Sequence, residues 1–417
     1  MQACTMDTKG TGFSYMPRKY TVIDLFAGCG GLSLGLHNAG WQGLFAIEKN
    51  PDAFKTLKHN LIEGKKHFDW PDWLPCTSHD IQEVLKTHRE KLLDLQGKVD
   101  LVAGGPPCQG FSMAGKREEK DSRNQLVFSY IEFIELVKPR VVLFENVKGF
   151  DCSFTGAEKS VPYSHKVKSR LEKLGYKVVP HVYDFSDYGV PQKRKRYILV
   201  GILDANENPF RQSLDRAVKG YLKGKGIAEH TTVQDAISDL CQSNGVKETP
   251  DRKGFLSGKY APALTSYQRL MRKGLKHNDV LPDSHSFAHH SQAITKLFAT
   301  VIDEEPHGIK LSAETRKRRK VGRRSLCILD ENSPAPTLTS NPDDVVHYQE
   351  PRILTVREYA RIQTFPDWFE FKSKYTTGGE LRRKEVPRYT QIANAVPPLF
   401  AELAGRVIKD LLNECYE

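Results

Sequence analysis

Short apolar runs alternate with stretches of helical periodicity over residues 20 to 203, the pattern of a mostly parallel sheet covered on both faces. The runs 20–26, 44–47, 99–103, 141–144, 178–183 and 197–202 predict strands. Between the third and fourth, Leu126, Tyr130, Phe133, Ile134 and Val137 recur at helical spacing and predict an amphipathic crossover helix. One doubly wound α/β domain accounts for all of this. Beyond Asp204 the periodicity blurs and Gly, Lys, His and Pro rise, which marks a second region with different rules. Order returns at 355–365 and again at 398–412, where Leu399, Leu403, Val407, Ile408 and Leu411 form one helical stripe behind a proline pair suited to a helix start. Such a stripe needs a core to join. The expected division is therefore 1–203 plus 386–417 as one domain, 204–370 as a smaller domain inserted before the C-terminal helix, and 371–385 as a hinge.

The third strand empties into Gly105-Pro106-Pro107-Cys108-Gln109-Gly110. Tandem prolines fix φ on both residues before Cys108 and remove two amide donors, so the thiol is carried on a stiff, non-helical loop at the sheet edge where α/β folds keep their ligands. Two readings fit the loop alone: a presented nucleophile, or a buried structural cysteine in a turn. Glu145-Asn146-Val147 ends the next strand, and parallel topology sets it beside the Cys108 loop, so its carboxyl can face what the thiol attacks. Gln192-Lys193-Arg194-Lys195-Arg196 precedes a further strand and adds two guanidinium forks suited to carbonyl or carboxylate oxygens; as a bare charge run it is a solvated turn.

Asp24-Leu25-Phe26-Ala27-Gly28-Cys29-Gly30-Gly31 closes the first strand and opens the first helix, and Glu48 ends the second strand where an acid can bind two ribose hydroxyls. Ser33 stands in place of the third glycine of a dinucleotide fingerprint, and no P-loop lysine is present. A cofactor with ribose and adenine but no pyrophosphate fits better than a dinucleotide, with S-adenosylmethionine the common one. Asp80-Ile81, near the end of a third β-α unit, could hold adenine by a carboxylate and an amide; Asp80 reads equally well as the N-cap of a helix.

Composition adds limits. The 62 Lys and Arg against 51 Asp and Glu give a formal charge of +11, which concentrates polyanions such as nucleic acid. The eight cysteines form no CxxC pair and no zinc-spaced His/Cys cluster, so neither a disulfide framework nor a structural metal is expected. The polar start lacks the apolar stretch of a signal peptide, and no run has transmembrane length, so a cytoplasmic protein without membrane partners is expected.

Taken in order, Phe26-Ala27-Gly28-Cys29-Gly30-Gly31, Glu48, Asp80, Pro106-Pro107-Cys108-Gln109, Glu145-Asn146-Val147, Gln192-x-Arg194-x-Arg196, Arg357-Glu358-x-x-Arg361-Ile362-Gln363 and Gln391-Ile392-Ala393-Asn394-Ala395-Val396-Pro397 resemble the signatures of the DNA (cytosine-5) methyltransferase family. The resemblance covers about residues 20 to 203 and 351 to 412. Ala393 stands where the family usually has glycine, and the middle region is not similar to any one member. The resemblance implies a Rossmann-like methyltransferase fold with an inserted target-recognition domain, base flipping out of duplex DNA, and S-adenosylmethionine surrounded by Phe26, Gly28, Gly30, Leu32, Glu48, Asp80, Ile81, Pro106, Leu126, Asn394 and Val396. It also implies a monomer of bacterial modification type, with a cognate restriction endonuclease as a functional partner but no stable complex.

The implied chemistry asks for these residue types. Carbon 5 of cytosine is a poor nucleophile, so a thiolate, assigned to Cys108, first adds to carbon 6. Glu145 would stabilise the charged ring at N3, Arg196 would hold the O2 edge, and Arg194 would brace the Cys108 loop or Glu145. No side chain is nominated for removing the C5 proton. In the middle region, Tyr267-Gln268-Arg269, Arg272-Lys273 and the basic run 316–320 are candidate DNA contacts. The stretch 316–324 reads equally as a solvated basic loop or a localisation run. A tRNA methyltransferase of the same architecture, a catalytically silent DNA-binding relative and a nicotinamide oxidoreductase are the competing functions. The long middle region, the retained Cys108 and Glu145, and the missing third glycine argue against them in turn.

Overall fold

The structure, a computed structural model, describes residues 18–107, 125–152, 162–275, 281–323, 325–377, 381 and 385–416. Strands β1 (Thr21–Leu25), β2 (Gln42–Ile47), β3 (Leu101–Gly104), β4 (Val141–Val147), β5 (Tyr176–Asp184) and β7 (Lys195–Leu203) fall close to the predicted runs, whereas the two-residue β6 (Gln192–Lys193) has no predicted counterpart. Six of them form one sheet in the order β2-β1-β3-β4-β7-β5. Pairing is parallel from β2 to β4, and β7 runs antiparallel to both β4 and β5.

The helices of the first half are α1 (Gly31–Asn38), α2 (Pro51–Leu57), α3 (Ile81–Thr87), α4 (Arg89–Leu93), α5 (Gln125–Val137) and α6 (Tyr163–Lys173). Those of the second half are α7 (Phe210–Lys225), α8 (Val233–Ile237), α9 (Ser266–Arg272), α10 (Gln292–Glu304), α11 (Ala313–Arg318), α12 (Val356–Ile362), α13 (Arg388–Asn394) and α14 (Pro398–Tyr416). The second half also carries five short strands, β8 (Val246–Glu248), β9 (Leu256–Gly258), β10 (Cys327–Ile328), β11 (Ala335–Pro336) and β12 (Val345–Val346).

Side chains alternate across a strand, and the sheet uses both faces. Leu101, Ala103, Val141 and Leu143 join Leu32, Leu36, Phe400, Leu403 and Val407 in the core under α1 and α14. Val102, Val142 and Phe144 join Val84, Tyr130, Phe133, Ile134 and Leu171 under α3, α5 and α6. The C-terminal stripe thus finds its core on the sheet. Helix α7, which follows residue 204, packs on the same layer: Tyr221 donates to the Leu399 carbonyl at 3.2 Å and Lys225 pairs with Glu402 at 2.7 Å.

The segment 65–80 departs from expectation. It supplies no strand before Asp80, only an isolated bridge from Phe68 to Gly43. A further buried cluster, with Phe298, Val301, Leu311, Leu326 and Ile328, sits within the second half under α10.

Candidate active site

A cavity of about 570 Å³ opens at the C-terminal edge of β1 to β4, where open α/β sheets hold ligands. Its wall is built by strand order. Because β3 and β4 pair in parallel with Gly104 opposite Phe144, the next residues, Gly105 and Glu145, meet at the edge. A Cβ on Gly105 would lie 2.6 Å from Glu145 Oε2, so any larger residue there would have to displace the carboxylate from its present position. Asn146 Nδ2 donates to the Pro106 carbonyl at 3.2 Å and ties the two strand ends together. Cys108 itself lies outside the described residues; the stem Gly105-Pro106-Pro107 lines the cavity.

Arg196 Nε stands 3.0 Å from Glu145 Oε1. Burial raises the Glu145 pKa, and the charges of Arg196 and Arg194 work against that rise. Arg194 is itself fully buried, and its strongest bond goes elsewhere: Nη2 donates to the Ala393 carbonyl at 2.6 Å. It therefore clamps the end of α13 to the site as well as facing Glu145 electrostatically. Ala393 sits inside helix α13, a backbone conformation that any L residue adopts.

Glu48, at the end of β2, accepts from the amides of Gly28 at 2.9 Å and Asn50 at 2.7 Å. Burial pushes its pKa up and these amides oppose the rise. Asp24, next to it, is buried with Oδ1 unbonded. Its carboxyl is pushed up to about 7, by burial first and by the Glu48 charge, against a bond from Ser33. Phe26 turns the backbone with φ of 58°, a strained choice for a non-glycine residue at a site.

Phe26, Gly28, Leu32, Glu48, Asp80, Ile81, Pro106, Leu126, Asn394 and Val396 all line the cavity, with Arg194, Arg196 and Glu145. Gly30 does not. It caps α1 with φ of 93°, and a Cβ there would meet Leu61 Cδ1 at 2.8 Å on the core side. Asp80 does cap α3, accepting from the Gln82 amide at 2.9 Å, while its other oxygen holds Lys49 at 2.6 Å. Burial would raise its pKa, but Lys49 and the Gln82 amide outweigh that and hold it low.

Lys49 and the strip Thr337-Leu338-Thr339-Ser340 line the cavity without any signal in the sequence, and Asp24 and Gln391 line it although the sequence motifs that contain them assign neither to the site. The strip enters from the second half because Ala335 and Pro336 pair in parallel with Gln192 and Lys193. Leu338 donates its amide to Gln192 Oε1 at 3.1 Å, and Gln192 Nε2 reaches Gln363 Oε1 at 2.5 Å. Gln363 in turn donates to the Ala395 carbonyl. Three sequence motifs are thus joined by one chain of amides behind the cavity.

Some expected DNA contacts are structural instead. Tyr267 is buried with its hydroxyl on the Arg361 carbonyl at 2.5 Å, Gln268 closes a capping box on α9, and Arg272 pairs with buried Asp239. In the basic run, Arg318 and Arg319 grip Glu305 at 2.8 and 2.7 Å. Cys241, distant in sequence from the neighbours His347 and Glu350, joins them so that the three bring donor atoms within 4.8 Å of one another. The Arg352 guanidinium, 2.6 Å from Glu350, already places a positive charge beside them.

Among the described residues no helix is long and apolar enough to cross a membrane. A model of C-5 cytosine-specific DNA methylases matches residues 20–410. The chain is 31% identical over 396 residues to the Type II methyltransferase M.DdeI of Desulfomicrobium norvegicum, covering 93% of this chain and 88% of that protein. It is 33% identical over 409 residues to the Type II methyltransferase M.PspPI of a Psychrobacter strain, covering 95% and 80%. Among solved structures, one described as a DNA modification methyltransferase encoded within an E. coli prophage superposes with a TM-score of 0.64 at 26% identity, covering 95% of this chain and all of that one. The S. pombe Dnmt2 methyltransferase, at 15% identity and a TM-score of 0.50 over 96% of this chain and all of that one, shares the fold.

Proposed function

Because the chain belongs to the C-5 cytosine-specific DNA methylase family, we propose that it methylates carbon 5 of one cytosine within a specific duplex sequence, using S-adenosylmethionine and a covalent Cys108 adduct at carbon 6. The observation that carries this reading is the shared wall: the stem of the Cys108 loop, the Glu145–Arg196 pair and the Glu48 carboxylate line one cavity. The residues fit the cofactor. Glu48 retains oxygen lone pairs for ribose hydroxyls, the unbonded Asp24 Oδ1 suits a cationic ligand, and Ile81, Leu126 and Val396 offer apolar contact. When bound, S-adenosylmethionine supplies the electrophilic methyl.

The chain's own residues do the rest. The Cys108 thiolate forms a bond to carbon 6, and the electron pair of the 5,6 double bond becomes available at carbon 5. A Glu145 carboxyl with a raised pKa holds a proton near N3, where charge develops. Arg196 fixes that carboxyl and faces the O2 edge; Arg194 is a positioning residue through Ala393. After transfer the C5 proton leaves to a base, for which a bound water is assigned, and the thiolate departs as the double bond re-forms. A cytosine within a duplex must be flipped out to reach the thiol. Residues 204–370 are assigned to target recognition, with the strip at 337–340 linking that region to the cavity. The Type II names of the relatives support a modification role beside a restriction endonuclease.

The test is methyl incorporation from labelled S-adenosylmethionine into unmethylated duplex DNA and into tRNA, with Cys108→Ser as control, followed by sequencing of the modified positions. Label in DNA that disappears in the control supports the reading and reveals the target. Label in tRNA alone transfers the enzyme to RNA, and label undiminished in the control removes the Cys108 mechanism.

A further inference from the structure

A second and larger cleft, about 1260 Å³, opens away from the active cavity. Leu32 in the first turn of α1 faces the active cavity, whereas His37 and Asn38 at the other end of that helix line the second cleft. At the helical rise the two walls stand roughly 8 Å apart along α1. The same division holds at the C-terminus, where Val396 lines the first and Glu402 and Arg406 the second.

The cleft is electropositive. Lys225 and Arg406 share Glu402, the single carboxylate on its wall among the described residues, at 2.7 and 2.8 Å, which leaves one positive charge in surplus. Lys65, Arg269 and Lys273 also line it and pair with no carboxylate among the described residues. Three plus one makes four uncompensated charges. Arg269 is held in place by the Ala263 and Leu264 carbonyls at 3.1 and 3.0 Å and by Ser266 Oγ at 3.1 Å, contacts that fix the guanidinium without neutralising it.

We infer that this cleft binds the phosphate backbone of duplex DNA outside the sequence being methylated, an inference resting on the reading that duplex DNA is the substrate. Its volume exceeds the roughly 300–1,000 Å³ of small-ligand pockets. Fixed, unpaired Lys and Arg side chains are what phosphate contacts need. Single-stranded binding would require free aromatic faces for stacking, and both rings here are engaged. Lys65 Nζ lies 4.2 Å from the Trp368 ring centre, Arg272 lies 4.0 Å from that of Tyr260, and the Tyr260 hydroxyl is bonded to Asp367 at 2.7 Å.

The experiment compares the full-length protein with a Lys65→Glu, Arg269→Glu, Lys273→Glu variant. Affinity for a non-specific duplex of several hundred base pairs is measured across a salt series, and methylation of a duplex of about 20 base pairs centred on a modified site is measured in parallel. The expected result for the triple variant is a tenfold or greater loss of affinity for the long duplex and a salt slope smaller by about 2 to 3; in a Lys65→Glu single variant, whose position lies outside residues 204–370, turnover on the short duplex is expected to be unchanged. Equal affinity and slope in both proteins would overturn the inference, as would tighter binding of single-stranded RNA that the variant loses. If the triple variant also slows on the short duplex, Lys65→Gln and Lys273→Gln, two exposed positions, decide by the same salt slopes. The salt-series arm uses no catalysis, so a failure of the methylation reading would show as absent turnover in both proteins and remain distinguishable.

Discussion

Glu145 and Arg196 form a diagonal cross-strand pair: β4 and β7 run antiparallel with Val147 opposite Arg196 and Ile198 opposite Glu145, so both side chains share one face and meet at 3.0 Å. Removing Glu145 with Glu145→Ala is expected to lower methyl transfer by about 10²- to 10⁴-fold, the usual worth of a positioned proton donor, with cofactor affinity retained. The pair also sets a pH limit. Burial raises the carboxyl pKa and Arg196 opposes the rise, so Arg196→Met should raise that pKa further. Activity that needs the protonated carboxyl falls as pH rises through this pKa, and the alkaline limb of kcat/KM should move upward in the variant. A limb that stays put or moves down would break the link between the pair and catalysis.

Glu48 is expected to be the main polar anchor of the cofactor. Its oxygens already order Gly28 and Asn50, so Glu48→Ala removes both a ribose acceptor and the support of the loop it stands on. A loss of roughly 1–3 kcal/mol in binding is expected for charge-assisted bonds, about five- to 150-fold in Kd, read by calorimetry with S-adenosylmethionine. Unchanged affinity would place the cofactor elsewhere.

The fold and half of this site were legible for simple reasons. Strands β1, β3, β4 and β7 are runs of Val, Ile and Leu buried on both faces, and their order sets Gly105 beside Glu145 without further information. Positions settled by long-range contact were not legible. The strip 337–340 enters the cavity through a bridge two residues long, too short for any period. Gly30 has the glycine its turn requires yet faces Leu61 rather than the cavity. Tyr267 and Gln268 look like nucleic-acid contacts by type, and only the packed structure shows them buried against α12 and the start of α9.

Arg361 carries the junction between α12 and the segments around it. It bonds Asp367 at 2.5 and 2.6 Å, Asp239 at 3.2 and 3.3 Å, and the Ala236 carbonyl at 2.9 Å, all without solvent. Arg361→Ala takes from buried Asp367 its main cation and leaves buried Asp239 with Arg272 alone, a change expected to cost about 3–5 kcal/mol. Urea unfolding measures it. A loss below about 1 kcal/mol, the level of a surface ion pair, would mean that the junction is held by its apolar contacts alone.

Acid should loosen the region around α12 before the sheet. His285 is buried with Nε2 donating to the Leu240 carbonyl at 2.9 Å and Nδ1 accepting from the Thr355 hydroxyl at 2.8 Å, a bonding pattern that uses the neutral ring. Burial lowers its pKa to about 4 against the pull of Glu358, and that of neighbouring His347 to about 3. Between pH 6.5 and about 4 the unfolded chain therefore binds more protons at these positions than the folded one, so stability rises with pH across that window and falls on acidification. Glu358, held at about 2 by Arg352 despite its burial, adds a loss in the same direction from its unfolded value of 4.5 downward. Urea unfolding between pH 7 and 4 should show a positive slope of stability with pH that is smaller in His285→Asn. An equal slope in that variant would assign the acid sensitivity to other groups.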